Sequence, residues 1–227
     1  MEVKSMKDAQ RTKNWRICIY GKPGVGKTSA VRYLNGKTLV LALDNSAKVL
    51  AGQDVDVVEF DRVHPDQAVT EFLRDMQVEQ NNYDNLVIDN VSSFERDWFI
   101  ERGRATKSGI NNELQDYSAW TNYFARVISA FYQLDLNILV TAWEVQAPIT
   151  TASGQTFNQY APEIRNSVRD MFMGLTDIVG RMIIKPDESH TRGVILEGDD
   201  SVYAKNRLDK RAGCVIEELF NFDEGGD

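Results

Sequence analysis

The sequence predicts an α/β fold, a mostly parallel sheet flanked by helices with antiparallel strands added in its C-terminal third. Three observations predict it. Short apolar runs that end on an acid alternate with amphipathic segments of helical period up to Glu144. A glycine-rich octapeptide stands between the first apolar run and the first helical segment. Beyond Thr176 the helical period gives way to short β-branched runs separated by turn residues, as paired strands require.

The elements follow in order. Trp15 to Tyr20 alternates apolar and β-branched residues and runs into Gly21, as a strand entering a turn should. Lys27 to Leu34 has helix-compatible spacing and stops at Asn35-Gly36. Thr38 to Leu43, ending at Asp44, and Val55 to Phe60, ending at Asp61, are continuous runs expected as strands buried on both faces. Pro65 to Gln80 predicts a helix whose apolar stripe is Val69, Phe72, Leu73 and Met76. Leu86 to Ile88, closed by Asp89, is the next buried strand, and a helix begins at Phe94. Arg102 to Gly109 is expected to interrupt it as a loop.

A long helix from Leu114 to about Leu134 presents Trp120, Phe124, Val127, Ile128 and Phe131, and Ile138 to Val140 is a strand. Val145 to Tyr160, rich in Thr, Ser, Gly, Gln and Asn, is expected as a mobile loop, followed by a helix near Glu163 to Met173. Asp177 to Ile184 and Arg192 to Leu196 read as paired strands around a turn at Lys185 to His190, with Ser201 to Ala204 as a third. A length of 227 residues suits one large domain, expected over 15–221. A flexible arm over 1–14 precedes it and an acidic, disordered tail over 222–227 follows.

Composition excludes several classes. No run approaches the roughly 18 apolar residues of a spanning helix, and Met1 to Asn14 lacks the apolar core of a secretory signal, so a cytoplasmic protein with no membrane partner is expected. Cys18 and Cys214 are far apart and read as buried thiols. His64 and His190 belong to no cluster of metal-ligand spacing. A net charge of −8 argues against a surface coated for nonspecific nucleic-acid binding, so any such contact must be local.

The octapeptide Gly21-Lys22-Pro23-Gly24-Val25-Gly26-Lys27-Thr28 matches G-x-x-x-x-G-K-[ST], with the strand before and the helix after that the motif needs. Its glycines let backbone N–H groups face inward onto phosphate, and Ser29 extends the cradle into the helix start. Lys27 is expected to reach the β- and γ-phosphates of ATP, and the Thr28 hydroxyl to coordinate Mg²⁺. Asp89, at the end of a buried strand, is the candidate carboxylate for the metal shell; its other reading is a turn former. Asn90 follows it, so a second acid for activating water is missing at that position.

Taken together, Ile17 to Thr28, Leu39 to Ser46, Val87 to Ser92, Val140 to Glu144 and Ala204 to Arg207 resemble the phage P-loop nucleotide-binding proteins, compact relatives of the RecA-like ATPases. The resemblance spans about residues 15 to 210. It implies a RecA-like ATPase domain, and some of its members act in single-strand annealing and recombination. It also implies a catalytic glutamate two positions after Asp44, where this chain has Ser46. Either Asp44 orients the attacking water or hydrolysis is slow. Thr141 and Glu144 resemble the polar sensor position near the γ-phosphate, and otherwise are ordinary strand-end polarity.

Lys205-Asn206-Arg207 resembles the K-x-R pair that reaches into a neighbour's nucleotide site, and otherwise is a solvated basic turn. Two segments fall where RecA-like proteins bind single strands. One carries Arg102, Arg104 and Lys107, and the other offers Phe157 and Tyr160 for stacking. The implied function is an ATPase acting on single-stranded DNA in recombination, annealing or replication. The implied partners are further copies of the chain in a ring or filament, single-stranded DNA, and a single-strand-binding or replication protein. Two alternatives stay open: a P-loop phosphotransferase with Arg102, Arg104 and Lys107 as a lid, and a nucleotide-gated adaptor or loader with little hydrolysis.

Overall fold

The computed structural model describes residues 12–150, 153–185 and 189–222. Residues 1–11 of the expected arm, 151–152, 186–188 in the expected turn, and 223–227 of the expected tail lie outside them. Among the described residues the main sheet has nine strands: β1 (Arg16–Tyr20), β2 (Thr38–Ala42), β3 (Asp56–Glu59), β4 (Asn85–Asp89), β5 (Asn137–Ala142), β8 (Ile178–Ile184), β9 (Arg192–Ile195), β10 (Lys205–Asn206) and β11 (Gly213–Val215). A separate hairpin joins β6 (Glu144–Thr150) to β7 (Thr156–Pro162). The α-helices are α1 (Pro65–Glu79), α2 (Val91–Ala105), α3 (Leu114–Tyr132) and α4 (Asn166–Leu175).

The order across the sheet is β11-β9-β8-β1-β5-β4-β2-β3, with β10 also pairing β8. From β8 to β3 the neighbours are parallel, and β9, β10 and β11 are antiparallel additions from the C-terminal third. This is the fold class expected. Alternation decides which face each strand residue covers. Cys18, Tyr20, Leu39, Leu41, Leu86, Ile88, Ile138 and Val140 meet all four α-helices. Ile17, Ile19, Val40, Val87 and Leu139 face the other way, onto 3-10 turns at Thr28–Tyr33 and Asn45–Leu50 and the C-terminal segment through Phe220.

Five expectations need correcting. Val145 to Tyr160 is not a loop: β6 and β7 pair from Glu144 with Pro162 to Thr150 with Thr156. Its Thr, Gln and Asn residues suit a two-sided polar hairpin as well as a loop. Arg102 to Ala105 is helical, because Gly103 lies on a buried face, where a side chain would meet the Ile110 carbonyl at 2.6 Å. That glycine serves close packing and does not break the helix. β3 is an exposed edge strand, not one buried on both faces. Ser201 to Ala204 contributes one bridge at Val202, and the strand proper is Lys205–Asn206. The segment after the octapeptide is a six-residue 3-10 turn, so it adds less dipole than a full helix would.

Candidate functional site

The octapeptide leaves the C-terminal end of β1, whose five residues are all buried, so the sheet holds the start of the loop rigidly. Gly24 (φ 79°) and Gly26 (φ 104°) take the left-handed region that lets consecutive N–H groups turn inward. Lys27 is 7% exposed, and its Nζ donates to the carbonyls of Gly21 at 2.8 Å and Lys22 at 3.0 Å. The ammonium therefore lies across the mouth of its own loop. Burial lowers its pKa, and the charges of Asp89, Asp44 and Glu144 oppose that shift.

Asp89 ends β4 and is 2% exposed. Its Oδ2 accepts from the Thr28 hydroxyl at 2.6 Å and the Ser46 hydroxyl at 2.9 Å, while its Oδ1 accepts from the Thr141 hydroxyl. Burial raises the Asp89 pKa above the ordinary carboxylate value, with the Asp44 charge adding to the rise and the three hydroxyl donors working against it. The Thr28 and Ser46 hydroxyl oxygens are 3.2 Å apart. Hard hydroxyl and carboxylate oxygens in one place suit Mg²⁺, which prefers one or two protein oxygens together with substrate phosphates. The donor set fits that metal, with Thr28 and Asp89 as its holders.

Asp44 caps the 3-10 turn that follows it: Oδ1 accepts from the Ser46 amide at 2.9 Å, and Oδ2 accepts from the Asn90 side chain. The Asn90 Oδ1 in turn caps α2 by accepting from the Ser93 amide at 2.8 Å. Asn90, at the position of the missing second acid, thus clasps the ends of β2 and β4 together.

Phosphate loop, Asp44, Ser46, Asp89 and Asn90 line one cleft of about 310 Å³, with Trp143 and Arg192 on its walls. Sequence reading missed three of these. Ser46 counted there only as an absent glutamate, yet it donates to Asp89. Arg192 opens β9, and its Nε donates to the Val25 carbonyl at 3.0 Å. A lone arginine in a turn carries no signal; only the pairing of Ile184 with Arg192 brings it to the loop. Trp143 precedes β6 and lies under the Arg96 guanidinium, 4.5 Å from ring centre to Cζ.

Other expected residues are not among those that line the cleft. Thr141 is fully buried behind Asp89 and touches it as a positioning hydroxyl. Glu144 pairs with Arg181 at 3.1 Å, and Arg181 covers the Tyr160 ring at 3.5 Å, so that ring has one face occupied. Lys205 and Arg207 converge on the Gly174 carbonyl in the last turn of α4, at 3.3 and 3.0 Å. Their strand pairs with Ile178 and Val179 at the start of β8, whereas the phosphate loop leaves the far end of the parallel β1. Burial, helped by the Arg207 charge, brings the Lys205 pKa down to about 8.

Arg102 and Arg104 are exposed on the last turn of α2, Arg102 over the Trp98 ring at 4.9 Å and Arg104 3.4 Å from the Val63 carbonyl, and Lys107 is exposed just beyond. A second cleft of about 350 Å³ lies between α1 and β3, with Leu41 and Phe72 within and Glu59 and Glu71 at its edge. It has no phosphate-type donors, so chemistry and not size singles out the first.

The family model described as AAA domain matches residues 13–208. A search of the curated proteins found no match. Among solved structures, a KaiC-like protein from the hyperthermophilic archaeon Pyrococcus horikoshii OT3 is similar, at 16% identity over 81% of this chain and 78% of that one, with a TM-score of 0.47. With residues 13–208 matched and the phosphate loop, Thr28 and Asp89 assembled on a mostly parallel sheet, the chain belongs to the AAA domain family of P-loop ATPases and has a P-loop α/β fold.

Proposed function

We propose that this chain is an Mg²⁺- and ATP-dependent ATPase of phage type that acts on single-stranded DNA in recombination, annealing or replication. On this reading residues 15–221 form one ATPase domain, working as a cytoplasmic homo-oligomer beside a single-strand-binding or replication protein. The observation that carries the reading is the convergence of the Thr28 and Ser46 hydroxyls on Asp89 beside the phosphate loop. No helix among the described residues is long and apolar enough to cross a membrane.

The chain's own residues divide the work. Loop N–H groups and Lys27 hold the β- and γ-phosphates, so Lys27 must leave the Gly21 and Lys22 carbonyls for phosphate oxygens. Thr28 and Asp89 hold Mg²⁺, whose charge offsets that developing on the phosphates when it is bound. Asp44 orients water: each of its oxygens accepts one protein hydrogen bond and has a second lone pair to offer. Thr141 fixes the Asp89 rotamer from behind. Lys205 and Arg207 act on a neighbouring subunit's phosphates, which suits side chains remote from their own loop. Arg102, Arg104 and Lys107 bind DNA phosphates from an exposed basic face on an acidic chain.

One observation favours a second reading, a nucleotide-gated binder with little turnover. Ser46 replaces the expected glutamate and is tied to Asp89, and both Asp44 oxygens already hold protein donors. ATP hydrolysis and particle mass, each measured with and without single-stranded DNA, separate the two. Stimulated hydrolysis with assembly supports the DNA-dependent ATPase. Assembly on nucleotide without hydrolysis favours the binder, and turnover that needs a phosphate acceptor overturns both.

A further inference from the structure

The cleft of the phosphate loop does not end at Arg192. A smaller cleft of about 90 Å³ adjoins it, and Gly26, Ser29 and Arg192 line both. Its remaining walls are Ala30, Met182 and Ile216, each about 1% exposed, with Tyr33 and Arg32 at the rim. The two clefts differ in chemistry. The larger holds the carboxylates and hydroxyls of Asp44, Ser46, Asp89 and Thr28, while the accessible surface of the smaller is mostly polar, with two planar guanidinium groups and a phenol.

A nucleoside triphosphate held by this loop has a fixed direction. Lys27 would meet the β- and γ-phosphates and Thr28 with Asp89 would hold the metal, so the α-phosphate and nucleoside would leave on the other side, past Ser29. Ser29 also lines the smaller cleft. Resting on the Mg²⁺-ATP reading above, we propose that the nucleoside lies at this cleft and that Arg192 holds it by laying its guanidinium plane against the base.

Arg192 is built for this. Its Nε is spent on the Val25 carbonyl at 3.0 Å, which orients the guanidinium plane, and the residue is exposed. Gly26 makes room for it, since a Cβ there would stand 2.7 Å from the Arg192 Nε. Arg32 is tied by its Nε to the Ser29 carbonyl at 3.0 Å, and the Tyr33 hydroxyl to Glu217 at 3.1 Å, so the rim keeps its shape without a ligand. The guanidinium face, not only its charge, is the recognising element, because an aromatic base offers a π-surface to a planar cation.

The test compares Mg²⁺-ATP with Mg²⁺-tripolyphosphate, which has the phosphates and no nucleoside, by calorimetric titration of the full chain. Arg192→Ala should weaken ATP about tenfold and change tripolyphosphate less than about twofold. Arg192→Lys, which keeps charge and loses the plane, should weaken ATP nearly as much. Equal weakening of both ligands by Arg192→Ala, with rescue by Arg192→Lys, would make Arg192 a phosphate cation and overturn the proposal. Unchanged affinity for both in Arg192→Ala also overturns it. If the parent binds neither ligand, the phosphate site itself is wrong and the nucleoside site falls with it. Thermal melting of each variant beside the parent checks that the fold is intact.

Discussion

The Thr28 hydroxyl donates to the Asp89 carboxylate at 2.6 Å, joining residues 61 positions apart, one on the segment that follows β1 and the other at the end of the non-adjacent β4. β5 lies between β1 and β4, and its Thr141 closes the carboxylate from a third side. The sheet order therefore sets the metal-holding pair: the loop leaving β1 must arch past the end of β5 to reach Asp89. A carboxylate that is 2% exposed and ringed by hydroxyls is costly for folding and useful for chemistry.

Asp89→Asn should separate these two roles. The folded pKa of Asp89 is raised, so its contribution to stability is present at acid pH and lost as pH rises through the folded value. At pH 7 the folded chain carries that penalty. The variant should melt roughly 2–6 °C above the parent at pH 7, with the gap closing as the pH is lowered. Its hydrolysis should need at least about tenfold more Mg²⁺. Superimposable Mg²⁺ titration curves would remove Asp89 from the metal site.

Lys205 and Arg207 make a claim about assembly. A Lys205→Ala/Arg207→Ala chain should bind ATP and fail to turn it over, while a Lys27→Ala chain lacks its own site and keeps both cations. Mixing the two inactive preparations should restore activity wherever subunits exchange. Activity in the double variant alone, or no recovery in oligomers shown to be mixed, returns the pair to capping the last turn of α4, where both already meet the Gly174 carbonyl.

The same lysine predicts a pH limit. Its pKa is lowered to about 8, so its contribution to stability is present above the ordinary lysine value and lost as pH falls through about 8. The charge needed in trans is correspondingly lost above about pH 8. Turnover should decline there in the parent and hold in Lys205→Arg, whose guanidinium stays charged. Parallel pH profiles would exclude Lys205 from catalysis.

Replacing Arg102, Arg104 and Lys107 together with Ala should flatten the log–log salt dependence of single-strand binding by roughly 0.7 for each DNA phosphate that is no longer neutralised. A slope equal to the parent's would exclude all three. The fold makes Lys107 the most adaptable of them, since Arg102 and Arg104 are fixed on the last turn of α2.

What could be read before the fold was known was whatever lay contiguous in sequence. The octapeptide carries its strand, its glycines and its lysine within a dozen residues, and Asp89 is marked by the apolar run that it ends. The α-helices of strong period were legible too, with α1 and α3 close to their expected bounds. Arg192 was not, because its place depends on a cross-strand register 167 residues from the Val25 carbonyl that it meets. Ser46 was visible only as a departure, since a hydroxyl that serves a carboxylate 43 residues away leaves no local trace. The β6–β7 hairpin was lost to composition: polar residues pair by backbone as readily as apolar ones where strands are largely exposed, as these are outside the Ala161–Pro162 end.

Whether Gly21 to Thr28 and Asp89 hold Mg²⁺-ATP is decided by a calorimetric titration of ATP, with and without Mg²⁺, into the parent and Lys27→Ala. Among the described residues Lys27 bonds only to the carbonyls of its own loop, and its buried ammonium has a lowered pKa, so its loss should leave the melting temperature within a few degrees. The parent should bind more tightly when Mg²⁺ is present, and the variant should bind at least about a hundredfold more weakly than the parent. Equal affinity in the two proteins, with the fold intact in both, would contradict the assignment.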